Sequence, residues 1–204
     1  MKLLEQVEIS LDWLDASTLH EHPYPQHKRS TDKVHVSTIL RYLAVKMGKL
    51  DDSEKEDEMP LRVFLGMAWE QMVVRLYDGI WWQPGELVLN EIAGSPDGYS
   101  YDDKGDLLIE EMKYTGKSLR TPGGKEDQLK DIISEWLWIS QVKAYCFMHE
   151  EKPTKARFHI CWSRGVYTYP LRERYMRYVV QFTREELEQN WKMITNHAKC
   201  VSKE

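Results

Sequence analysis

The sequence predicts a mixed α/β domain, with a central mixed sheet flanked by helices, and three observations lead there. Helical and extended patterns follow one another as helices, a strand meander, a helix, two strands and a helix, which is not the repeated strand–helix–strand order of a doubly wound sheet. A chain of 204 residues, 42% hydrophobic and with eight tryptophans, can bury the core of one domain spanning 1–204. Residues 95–114 read as two extended runs joined by Asp102-Asp103-Lys104-Gly105-Asp106, a cluster of turn formers.

The amino terminus, Met1-Lys2-Leu3-Leu4-Glu5, carries acid early and no long apolar stretch, so it is not expected to be a secretory signal. No run approaches the roughly 18 apolar residues of a membrane span. Residues 20–33 are polar and contain proline, and a loop is expected there. Ser37 is placed to cap a short helix over 38–46 that ends near Gly48. An acidic loop over about 49–59 follows, and Pro60 suits the first turn of a second helix running to about Asp78. In that helix Val63, Met67, Glu70, Val74 and Tyr77 recur at three- and four-residue steps, so they share one face. Strands are expected over 87–93 and 107–114, with extended chain through 94–99. Gly116, Pro122, Gly123 and Gly124 mark a loop, and a helix is expected over about 127–148, then strands over 156–162 and 177–182. Thr183-Arg184-Glu185-Glu186 is a capping box, in which the Thr hydroxyl and the Glu three residues on satisfy each other's free amides; it opens a last helix to about 198.

The chemistry concentrates in the hairpin. Side chains alternate along a strand, so Glu111 and Lys113 point one way while Glu110 and Met112 point the other. The turn at 102–106 folds the second strand back beside the first and brings Asp97 near Glu111. Two converging carboxylates repel each other unless a cation neutralises them, and Mg²⁺ commonly takes one or two carboxylates while keeping several waters. Lys113 beside them can hold an attacking water or stabilise charge developing on a phosphate. Leu107-Leu108-Ile109 bury the start of the strand, so charges just beyond need partners. The small residues around Asp97, in Gly94-Ser95-Pro96-Asp97-Gly98, suit the close approach of a ligand. Glu110 lies on the opposite face, and Glu110→Gln is expected to have a mild effect. Taken alone, these residues also fit a hairpin with a solvated polar face.

With those residues in view, the chain resembles the PD-(D/E)xK nucleases, within them the RecB-like group that includes phage λ-type exonucleases. Pro96-Asp97 and Glu111-Met112-Lys113 match the name-giving motif. The resemblance implies a restriction-endonuclease-like core over about 37–182, with Asp97, Glu111 and the Met112 carbonyl as metal ligands and Lys113 as the catalytic lysine. Gly66-Met67-Ala68-Trp69-Glu70 is similar to the family's helix-borne acid and makes Glu70 the third carboxylate. Gln141-Val142-Lys143-Ala144-Tyr145 matches the group's Gln-x-x-x-Tyr motif, whose two side chains share a helix face and are expected at the catalytic centre. Ser37 is similar to the serine of the family's opening helix; with Lys117 and Arg120 it is expected to touch DNA, and Lys125 and Lys130 extend the basic stretch. The implied activity is DNA phosphodiester hydrolysis with Mg²⁺, Mn²⁺ substituting, by an exonuclease of recombination, repair or phage DNA processing in the cytoplasm. DNA and a recombination protein are the implied partners, while oligomeric state is open. The alternatives are a structure-specific or restriction-like endonuclease, and an inactive relative that binds DNA or a protein.

Other features weigh less. The net charge of −5 is carried by residues 51–58, with six acids and one lysine, so the rest of the chain is near neutral. Some relatives add four cysteines for an iron–sulfur cluster. This chain has three, Cys146, Cys161 and Cys200, widely spaced and without a Cys-x-x-Cys pair, so neither a cluster nor a disulfide framework is expected. Thr115-Gly116-Lys117-Ser118 resembles the end of a phosphate-binding loop, but Glu111 stands where its first glycine belongs. His20 and His22 are expected at the surface. Trp81-Trp82, Trp136 and Trp138 are expected to pack in the core, and Cys146 to be a small buried hydrophobe.

Overall fold

The computed structural model describes residues 1–9, 30–50, 60–77, 79–118, 131–164 and 174–201. Arg120, Lys125, Lys130, His20, His22, most of the acidic loop and the first part of the helix expected from 127 lie outside the described residues.

The expected mixed α/β architecture, a central mixed sheet flanked by helices, is observed. Strands β1 (Lys2–Ile9), β3 (Trp81–Trp82), β6 (Gly98–Tyr101), β7 (Leu107–Ser118), β8 (Lys155–Arg164) and β9 (Arg174–Gln181) form a six-stranded sheet in the order β1-β9-β8-β7-β6-β3. β7 and β8 run parallel and every other neighbouring pair is antiparallel. A smaller sheet joins β2 (Val34–His35), β5 (Ile92–Gly94) and β4 (Leu87–Leu89) in that order. The helices are α1 (Val36–Lys46), α2 (Pro60–Leu76), α3 (Trp136–Met148) and α4 (Arg184–Val201). No helix among the described residues is long and apolar enough to cross a membrane.

A parallel pair cannot be joined by a tight turn, so the chain must cross over one face of the sheet between β7 and β8. α3 lies in that crossover. With α1 and α4 it buries Ile109, Phe158, Ile160, Trp162, Met176, Tyr178 and Val180, the inward side of the sheet. α2 covers the other side, where Trp69, Val73, Met112, Cys161 and Tyr175 form a second cluster. Trp69 anchors it: its Nε1–H donates to the His159 carbonyl at 2.9 Å, and its ring meets Tyr175 edge-on at 4.8 Å between centroids. Truncating a buried residue of this size costs about 3–5 kcal/mol. The two faces of β7 therefore belong to different layers, Glu111 and Lys113 toward α3, Glu110 and Met112 toward α2.

The hairpin at 98–107 forms as expected. Tyr101 pairs with Leu107 and Gly98 with Glu110, and Asp102 Oδ1 closes the turn by accepting from the amides of Lys104 and Asp106, each at 2.9 Å. Gly105 supplies the left-handed residue, φ 80°. The capping box also forms: Glu186 N–H donates to Thr183 Oγ1 at 3.2 Å and Thr183 N–H to Glu186 Oε2 at 2.9 Å.

Several expectations are corrected. β1 carries no strong alternating pattern and is a strand because it pairs with β9, more than 160 residues away. The strand expected over 87–93 is a two-strand hairpin: Asn90 and Glu91 both have positive φ (52° and 62°), the mark of a type I′ turn, here without its usual glycine. α3 starts only at Trp136, after a 3-10 turn (Ile132–Ser134) whose Asp131 carboxylate accepts from Ile133 N–H at 3.0 Å. Ser37 does not cap α1; it sits exposed in the first turn, and His35 occupies the N-cap without a side-chain bond to the helix. Among the described side chains of α2 the fully buried ones are Trp69 and Val73, one position off the expected stripe, which leaves Glu70 half-buried at its margin. Trp81 is 66% exposed on the edge strand rather than packed in the core, while Trp136 and Trp138 are partly buried against it. Cys146 is fully buried, as expected of a small hydrophobe.

Candidate active site

The register of the β6–β7 hairpin assembles the centre. Gly98 stands opposite Glu110, so the next residue out, Asp97, arrives beside Glu111. It is held there by two backbone bonds: the Met112 N–H donates to Asp97 Oδ2 at 2.7 Å, and the Gln83 N–H donates to the Asp97 carbonyl at 2.9 Å. Glu111 is wholly buried and forms an ion pair with Lys113, which projects from the same face and remains 23% exposed at its side chain.

α3 closes the site from above. Tyr145 is buried, and Gln141 Nε2 donates to its hydroxyl oxygen at 2.7 Å, leaving the phenol proton for another acceptor. Burial first, then the charges of Glu111 and Asp97, push the Tyr145 phenol well above its ordinary value, which places it within electrostatic range of both carboxylates. The tyrosine fits because residue 94 is glycine. A Cβ there would lie 2.6 Å from Tyr145 Cε1 and 2.9 Å from Cδ1. Gly98 likewise admits Ile80, whose Cγ2 would be 2.9 Å from an added Cβ. The small residues around Asp97 thus serve close packing of the protein against itself.

The electrostatics follow from burial. Desolvation and the nearby Asp97 raise the Glu111 carboxyl, Lys113 pulls it down, and the balance leaves it at about 8. Burial would lower Lys113, but Glu111 and Asp97 outweigh that and hold it above its ordinary value, so the ammonium keeps its charge. Apart from the Lys113 ion pair on Oε1, Glu111 receives no hydrogen bond from the described residues, and Ser95 Oγ, two residues before Asp97, is also buried without a partner among them. A buried carboxylate with an unmet oxygen next to a second carboxylate is a donor set for a hard divalent cation. Asp97 and Glu111 fit such an ion.

The other expected residues are distributed unevenly. Among the described residues no three His, Cys, Asp or Glu side chains gather as a ligand group, so Glu70 is not drawn with Asp97 and Glu111 into a three-carboxylate cluster. It follows Trp69 on α2, which packs beside β7. Lys117 is paired: its ammonium donates to the buried Glu135 at 2.5 Å and lies 4.9 Å over the Trp138 ring, with 51% of its side chain exposed. Arg120 is outside the described residues.

Sequence reasoning missed Glu110 altogether. It is fully buried, and its carboxylate meets Ser100, Arg157 and His159. Burial alone would raise it, but His159, Arg157 and Ser100 hold it below the ordinary carboxylate value. This environment runs against the expectation that Glu110→Gln is mild, since removing one partner of a buried charge cluster strands the others. The only signal in the sequence was an acid flanked by Leu107-Leu108-Ile109 and Met112, a run too apolar for a solvated face.

No family model matches the chain, and no curated protein sequence matches it. Solved structures similar to it include two of low sequence identity. One is the protein SSO0001, 13% identical, with 88% of this chain and 82% of that chain covered at a TM-score of 0.43. The other is a phage related exonuclease from Haemophilus somnus 129PT, 15% identical, with 86% of this chain and 93% of that chain covered at a TM-score of 0.49.

Proposed function

We propose that this chain is a divalent-metal-dependent deoxyribonuclease that hydrolyses phosphodiester bonds at the Asp97–Glu111–Lys113 centre. The observation that carries the reading is Glu111, wholly buried and raised in pKa beside a second carboxylate, with the Lys113 ammonium as its one polar partner among the described residues. A purely structural acid in that position would have donors on both oxygens, as Glu110 one residue away does.

Asp97, Glu111 and the Met112 carbonyl would hold Mg²⁺, or Mn²⁺ in its place. Such an ion supplies Lewis-acid polarisation of the phosphoryl oxygen and a bound water of lowered pKa. The chain's own residues do the rest. Lys113 Nζ donates to the attacking water or to a non-bridging phosphate oxygen, where charge grows in the transition state. Tyr145 O–H, oriented by Gln141, donates to the phosphate of the cleaved strand and sets its approach. Asp97, clamped by the Met112 amide, would present its carboxylate charge to the ion. Contacts of this kind grip backbone and read no bases. Digestion from DNA ends in recombination, repair or phage DNA processing is the finer assignment, supported by the Gln141–Tyr145 pair of the motif.

Incubation with linear and covalently closed DNA, with Mg²⁺ or with EDTA, tests the reading. Mg²⁺-dependent loss of linear DNA alone is the expected result. Cutting of closed circles assigns an endonuclease instead, and binding without metal-dependent cleavage assigns an inactive relative.

A further inference from the structure

Behind the candidate active site, on the opposite face of β7, lies a second buried polar network. Glu110 accepts from Ser100 Oγ of β6, from Arg157 Nη1 of β8 at 2.9 Å, and from His159 Nε2 of β8 at 2.8 Å. With the His159 proton on Nε2, its Nδ1 accepts from Tyr175 O–H of β9 at 2.5 Å. Tyr77, just past the end of α2, packs against the His159 ring, 5.1 Å between centroids. One set of side-chain bonds thus crosses four successive strands, β6, β7, β8 and β9, at the residue next to Glu111.

A buried charge cluster is a poor device for stability alone, because well-packed apolar residues of the same volume are often as good or better. What such a cluster does supply is register. A one-residue slip of β7 would turn Glu111 and Lys113 away from Tyr145 and present Glu110 and Met112 instead. The apolar run Leu107-Leu108-Ile109 discriminates weakly against that slip, since both of its faces are buried. Glu110 discriminates strongly: its three donors come from two neighbouring strands and meet it in one register.

We propose that Glu110 is a positioning residue for the catalytic centre, its bonds across β6 and β8 fixing the register and orientation of β7 and so the aim of Glu111, Lys113 and the Met112 carbonyl. His159 and Tyr175 extend the same tie to β9. The role in catalysis rests on the nuclease reading, while the role in holding β7 does not.

The test uses Glu110→Gln and Tyr175→Phe in the full chain, the latter removing only the hydroxyl that donates to His159. Amide exchange over 107–118 is measured in metal-free protein, followed by Mn²⁺ affinity by calorimetry and by kcat and KM on linear DNA. Exchange at 111–113 is expected to quicken about tenfold while that of β9 is unchanged. Mn²⁺ affinity and kcat are expected to fall roughly 10- to 100-fold with KM for DNA held within about twofold. Tyr175→Phe is expected to move the same quantities in the same direction by a smaller factor, and it decides the matter if Glu110→Gln does not fold. A folded Glu110→Gln protein, or Tyr175→Phe in its absence, with wild-type exchange over β7 and wild-type Mn²⁺ affinity overturns the proposal. Failure of the wild type to cleave any DNA overturns the nuclease reading instead, and the metal-free exchange still decides the positioning role.

Discussion

The Met112 backbone amide donates to Asp97 Oδ2 at 2.7 Å, so one carboxylate of the candidate centre is fastened to the very strand that bears the other. This bond sets the distance between two acids that would otherwise repel. It also separates two roles of Asp97, acceptor for the strand and donor of negative charge, which substitution can tell apart.

Asp97→Asn keeps an oxygen for the Met112 amide and removes the charge beside Glu111. The metal-free protein is expected to melt at or above the wild-type temperature, because repulsion is relieved. The rise in Tm on adding Mg²⁺, present in wild type, is expected to vanish. Thermal melts followed by circular dichroism with and without Mg²⁺ check both statements, and an undiminished Mg²⁺ response counts against Asp97 as a ligand.

The pH dependence follows from Glu111. Its folded-state pKa, pushed to about 8, lies above the ordinary value of 4.5 that it has when unfolded. A group raised in this way contributes stability that is fully present below the unfolded value and lost as pH rises through the folded one. Metal-free protein is therefore expected to lose stability between about pH 4.5 and about pH 8, and Glu111→Gln to flatten that decline. Urea unfolding at several pH values measures it; a slope unchanged by the substitution contradicts the placement of Glu111.

Two glycines give a contrast. At Gly94 an added methyl would press on the rigid Tyr145 ring at 2.6 Å, whereas at Gly116 nothing lies within 4 Å. Gly94→Ala is expected to cost about 1–3 kcal/mol by overpacking, and to lower cleavage by displacing Tyr145. Gly116→Ala is expected to be neutral or slightly stabilising. Denaturant midpoints order the two.

Thr183→Ala removes the acceptor for the Glu186 amide and leaves α4 uncapped. A loss of about 0.5–2 kcal/mol is expected in the same assay, with cleavage unaffected.

That capping box was legible in the sequence because its reason is local, two side chains and two amides within four residues. The 102–106 turn and the start of α2 at Pro60 were legible on the same ground. What escaped is decided at long range. β1 is a strand only by virtue of β9, and its outward residues include Leu4 and Val7, so no clean polar–apolar alternation announces it. The hairpin at Asn90-Glu91 bends through left-handed residues without a glycine to mark it. In the site, alternation along one strand was enough to put Glu111 and Lys113 on a shared face, and the hairpin register to add Asp97. The burial of Glu110 depends on Arg157, His159 and Tyr175, which local pattern could not assign to it. Lys117 reads as a free basic residue until Glu135 and Trp138 are seen beside it.

The central claim is that the pair Asp97 and Glu111 holds a cation whose work on a phosphodiester requires Lys113. The most direct measurement is Mg²⁺-dependent cleavage of linear DNA by wild type and by Lys113→Ala side by side, with Mn²⁺ binding to each followed by calorimetry. Cleavage by wild type that EDTA abolishes is predicted, together with loss of at least about a hundredfold in Lys113→Ala and Mn²⁺ affinity retained within a few-fold. Cleavage by Lys113→Ala at the wild-type rate would contradict the account.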